Sequence, residues 1–107
     1  VSPLGPVTDA ERRGWQIRAH QLLGDLLTLD LPPAHWQIGA FGDLIARAAA
    51  TDPAQQRAAF DAWVDHLGAR RWPERDDYGI THLRAVAHRY RGVDITIVAD
   101  VPNPAED

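Results

Sequence analysis

The sequence predicts an α+β fold: an antiparallel sheet of about five strands, in the order α-ββ-α-βββ, with two helices packed on one face. Three observations carry this. Two segments place apolar residues at helical spacing between start and stop signals. The stretch from Thr81 to Val101 alternates as a hairpin does. Trp15, Trp36, Trp63 and Trp72 fall one to each of the first helix, first strand, second helix and third strand, the first three at inward positions, as a shared core requires. With 107 residues the chain fits one domain, 1–107, in which 1–7 is expected as a loose arm and 102–107 as a frayed acidic tail.

The first helix starts at Thr8, which has the capping-box spacing to Glu11. Trp15, Ala19, Leu22, Leu26 and Leu29 then mark one face, and Pro32-Pro33 stops the run. Leu23 and Leu27 widen the stripe to roughly 160°, against a usual apolar width of about 100°. Gly14 and Gly24 each cost about 1 kcal/mol relative to alanine, so this helix depends on packing.

His35 to Ile38 alternates as a short strand with Trp36 and Ile38 inward. Gly39 to Asp43 is turn chemistry, and Leu44 to Ala49 is read as the returning strand, with a helix over 44–50 as the rival because alanine favours helix. The second helix is the clearest element: Asp52 caps it, Pro53 opens it, Gly68 ends it, and Phe60, Trp63, Val64 and Leu67 form its stripe. Arg57, Asp61 and Asp65 are expected on its solvated side.

Arg70 to Trp72 reads as a short strand that Pro73 limits to an edge or a break, followed by a polar loop from Glu74 to Gly79. In the last hairpin, a three-residue loop over Tyr90-Arg91-Gly92 pairs Arg89 with Val93, Ala87 with Ile95, Ala85 with Ile97 and Leu83 with Ala99. That register makes one face apolar and sets His88 across from Asp94 and His82 across from Asp100.

The composition excludes more than it selects. There are 11 basic and 15 acidic residues, a net charge of -4, and 45% hydrophobic residues, too apolar for a disordered chain. Every basic residue is arginine, in a usage similar to that of high-GC bacterial, actinobacterial, coding. Lysine, cysteine and methionine are absent, which removes disulfides, thiol chemistry and cysteine metal sites. No apolar run approaches the roughly 18 residues of a membrane span, and no basic segment leads into an apolar core at the N-terminus. The expected location is cytoplasmic.

Chemistry-bearing groups do not converge. His82 and His88 share a strand face but lie ~20 Å apart, too far for one metal ion. His20, His35 and His66 belong to three other elements, so no metal or cofactor is expected. Ser2 is the only serine, Thr96 is a nucleophile on paper only, and Asp61 with Asp65 reads as a solvated helix face. No catalytic residue is assigned, and an enzyme ranks third among the readings.

Two surfaces remain. The wide stripe of the first helix leaves Ile17, Leu23 and Leu27 near the rim, where exposed apolar area marks a protein interface or homodimer contact. The leading expectation is therefore a small non-enzymatic protein-binding or adaptor module that self-associates through this helix. The alternative is a nucleic-acid-binding regulator. From Arg70 to Arg91 six arginines face Glu74, Asp76 and Asp77, and Arg84, His88, Tyr90 and Arg91 are the candidate contacts. The acidic whole chain and the histidine–aspartate pairing weigh against it, because nucleic-acid affinity rests on phosphate neutralisation.

Overall fold

The structure, a computed structural model, describes residues 6–104. Its elements are α1 (Asp9–Leu27), β1 (Ala34–Ile38), β2 (Leu44–Ala48), α2 (Pro53–Leu67), β3 (Arg70–Arg71), β4 (Arg75–Asp77), β5 (Ile80–Tyr90) and β6 (Val93–Pro102). The α+β class is as expected. The sheet differs in two ways: it has six strands and is mixed. Its order is β1-β2-β6-β5-β3, with β4 also paired to β5, and the β2–β6 pair is parallel. The fully antiparallel sheet is corrected for a topological reason. Each hairpin is antiparallel within itself, but placing β2 beside β6 aligns two strands that run in the same direction.

Residues 44–48 are strand rather than helix, with Leu44 and Ala46 buried on the inner face. The expected loop after Pro73 contains β4, whose Arg75 pairs with His82 and Asp77 with Ile80. Most of the expected arm and the end of the tail lie outside the described residues. Up to Asn103 the chain is paired, since the Asn103 N–H donates to the Gly79 carbonyl at 2.8 Å.

Caps act as their sequences dictate. The Thr8 hydroxyl accepts from the Glu11 N–H, and the Asp52 carboxylate accepts from the Gln55 N–H. Gly68 closes α2 in the left-handed conformation. The first helix stops at Leu27 with Thr28 as its C-cap, earlier than its proline pair implies. Leu29 is consequently outside the helix and 37% exposed.

One core holds both helices against one sheet face. Ala19, Leu22 and Leu26 of α1, together with Phe60, Trp63, Val64 and Leu67 of α2, pack on Leu44, Ala46, Leu83, Ala85, Ala87, Ile95, Ile97 and Ala99. Trp63 meets Trp36 edge-on at 5.2 Å and donates its indole N–H to the Pro32 carbonyl at 2.7 Å. Trp15 is half-buried and leans on Phe41. Trp72 is not in this core: it lies on the other side of the sheet, 52% exposed, beneath the Arg84 guanidinium at 4.8 Å. The expected solvated side of α2 is tied to the β3–β4 region, by Arg71 to Asp61 at 2.7 Å and Arg57 to Glu74 at 3.1 Å.

The last hairpin keeps the expected pairs Ala87–Ile95, Ala85–Ile97 and Leu83–Ala99 but reaches them differently. Tyr90, not Arg89, pairs with Val93, so the loop is the two-residue Arg91-Gly92, both at positive φ. A bulge at Arg89, also at positive φ, then shifts the register by one residue. The short turn matches strand twist, and the bulge restores the apolar face that such a turn alone would invert.

Candidate functional site

Two sides of the molecule are unfinished: the outer flank of α1 with the edge of β1, and the sheet face that no helix covers.

The first is apolar. Ile17 and Leu27 are 57% and 63% exposed, while Leu23 is half-buried against the core. Of the three interface candidates, two are thus open and the third is partly covered by the core it packs against. Ile17 borders a shallow groove of about 410 Å³ with Arg13, Gln16, His20 and Ile38. Leu27 borders another, of about 240 Å³, whose lining includes Leu29, Leu31, Ala34 and Trp36. Both grooves run along β1.

The β1 backbone adds a polar component. The Gly39 N–H donates to the Asp43 carbonyl and the Ala49 N–H to the Pro33 carbonyl. Antiparallel alternation therefore turns the odd-numbered residues of β1 toward β2 and turns Ala34, Trp36 and Ile38 outward. At this end of the sheet their N–H and C=O groups have no backbone partner among the described residues. An unpaired edge beside exposed leucine and isoleucine is what natural sheets otherwise blunt with charge, proline or a covering element.

The second surface is charged. Strand alternation puts His35, Arg47, His82, Arg84, Val86, Thr96, Val98 and Asp100 on the open face. Asp100 is its hub, 2.7 Å from the His82 Nδ1 and 2.6 Å from Arg47. The hydrogen bond with His82, followed by that from Arg47, outweighs partial burial and holds this carboxyl below the usual aspartate range. The expected His82–Asp100 pair is therefore present. His88 and Asp94 are looser, at 3.8 Å, because the bulge directs Asp94 to the Arg89 N–H at 2.8 Å.

The four candidate nucleic-acid contacts are not brought together. Arg84 and His88 border one broad concavity of about 860 Å³ at the hairpin end of the sheet. Tyr90 packs against the core instead, and Arg91 reaches back to Asp25 of α1 at 2.9 Å. Arg70, Arg75 and Arg84 form no salt bridge among the described residues. Arg70 pairs with Val86 and Arg75 with His82, which sets both arginines on the open face beside Trp72.

Among the described residues no cluster of three His, Asp or Glu side chains could hold a metal ion. Thr96 makes no hydrogen bond to His88. Among the described residues no helix is long and apolar enough to cross a membrane.

Sequence reasoning missed the β1 edge and the Trp72–Arg84 stack. The edge has no residue signature, since it depends on which strand the chain places outermost. The stack does have one: Pro73 forces the third strand to an edge, and an arginine of β5 then lies across from its tryptophan. Comparison with family models, with curated proteins and with solved structures gives no match.

Proposed function

We propose that this protein is a small binding module whose partner is a protein, engaged through the outer flank of α1 and the β1 edge. One observation carries the reading: Ile17 and Leu27 stand more than half exposed toward either end of a strand whose outward N–H and C=O groups have no backbone partner among the described residues. An extended segment laid along β1 gains main-chain hydrogen bonds, while the two grooves accept its apolar side chains.

The test is a photo-crosslinking amino acid placed at Leu27 in producing cells, with Asp65 on the exposed side of α2 as the control position. Protein adducts are expected from position 27 and not from 65, and Ile17→Glu should suppress them. Equal adducts from both positions, or none from either, would refute the proposal.

A second reading has its own support in the unpaired arginines beside Trp72, an arrangement suited to a nucleic-acid strand. Salt-sensitive retention on heparin, lost in Arg70→Ala/Arg84→Ala, would favour it. Elution with the void, as expected of an acidic protein with five of its eleven arginines in ion pairs among the described residues, would dismiss it.

A further inference from the structure

We propose that the segment received by β1 is the β1 strand of a second copy, so that two chains join their sheets across a dyad at Trp36. The inference rests on the protein-binding reading and assigns its partner.

The backbone is self-complementary. Ala34, Trp36 and Ile38 point outward, so an antiparallel copy centred on Trp36 lets Trp36 exchange both bonds with its counterpart. Ala34 does the same with Ile38 of the second copy. No bulge, proline or charged side chain lies within β1 to oppose this pairing.

The helix is self-complementary about the same axis. Gln16 donates to the Gly39 carbonyl at 3.3 Å, whereas Leu26 and Leu27 share a groove with Ala34 and Trp36. The helix α1 therefore runs antiparallel to β1, with its C-terminal half alongside Trp36. A dyad there brings Ile17 to Leu27 of the second copy, covering both exposed side chains at once. It also brings Arg13 near Asp30 of the second copy, and neither residue has an ion-pair partner among the described residues. His20 comes opposite Gly24 of the second copy, a position where an added Cβ meets nothing within 4 Å. Backbone, apolar and charged groups thus find partners under a single rotation. The axis is normal to the sheet, so the helices of both copies stay on one side and the open faces merge on the other.

The absence of cysteine makes the geometry testable without background. In this register His35 faces Gln37 of the second copy in a non-hydrogen-bonded pair, with Cα atoms about 4.5 Å apart, within disulfide reach. His35→Cys mixed with Gln37→Cys should give an interchain disulfide on oxidation, and neither variant alone should. The unmodified chain should scatter light as two copies, and the Trp36 and Ile38 amides should exchange more slowly as concentration rises. A monomer at high concentration, amide exchange independent of concentration, or a dimer giving no disulfide in the mixture would each overturn the assignment. A monomer that still forms protein adducts from position 27 overturns the second copy alone. A monomer without such adducts overturns the protein-binding reading as well.

Discussion

Replacing Trp63 by phenylalanine tests whether the β1 edge is held in place from beneath. The indole is 4% exposed, donates to the Pro32 carbonyl at 2.7 Å and supports Trp36 at 5.2 Å. Phenylalanine keeps an aromatic edge against Trp36 but loses the donor. Leaving the Pro32 carbonyl without its partner costs about 1–3 kcal/mol. The smaller ring forfeits about 1 kcal/mol of apolar burial at roughly 25 cal/mol per Å². Together these give a loss of about 2–4 kcal/mol. Urea unfolding reads it directly: with a slope of about 1–3 kcal/mol/M, the midpoint should fall by at least about 0.7 M. The fluorescence of Trp15, Trp36 and Trp72 still reports the transition. Local opening should show first in faster exchange at β1, because Pro32 leads into that strand. A loss below about 1 kcal/mol would mean that water replaces the indole donor without cost, and the claim that Trp63 anchors β1 would fall.

Two further outcomes follow from particular contacts. Gly42 has φ +77, and an added Cβ would lie 2.5 Å from Cβ of Trp15 and 2.7 Å from its backbone. Gly42→Ala should therefore cost about 2–4 kcal/mol, since left-handed strain and a clash with backbone act together. At Gly68, also left-handed but with nothing within 4 Å, the alanine variant should cost only about 1–2 kcal/mol; thermal melts of the two variants that coincide would contradict this. Asp100 is held below its ordinary range first by His82 and then by Arg47, so its contribution to stability is present above the unfolded carboxyl range. That contribution is lost as pH falls through the folded value. Because the pair is half-exposed, Asp100→Asn should cost no more than about 1 kcal/mol at neutral pH and nothing near pH 2. A cost that persists undiminished in acid would exclude the ionic origin.

What was legible in the chain follows the range of the interactions involved. The caps at Thr8 and Asp52, the stop at Gly68 and the stripe of α2 are local, and each is where its residues place it. The β5–β6 pairing was legible from Leu83 to Ala87 because two features of the alternation agree there. It failed at Arg89, where a bulge allows a short turn and the right register together, a combination that alternation alone does not disclose. The parallel β2–β6 seam was invisible, since nothing in either strand records which neighbour it will take. The width of the α1 stripe did point to open apolar area at Ile17 and Leu27. Leu23 sits half-buried against the core at the rim of that stripe, whereas Leu29, expected on the stripe, is released from it by the early end of the helix. The strand edge that completes the candidate surface arises from the order of the sheet, and so lies beyond any residue pattern.

The parallel seam also bears on how the protein acquires its structure. Both hairpins close over short loops and can form early, each from its own segment. Joining them requires Leu44 to meet Ile95 across roughly fifty residues of chain, a search that is entropically costly until α2 helps to bridge it. The seam is the longest-range pairing in the sheet, the kind of contact that slows folding most. Until it forms, the β1–β2 hairpin has two free edges and the β5–β6 hairpin exposes its inner edge. During that interval this small protein is most prone to join the wrong strands together.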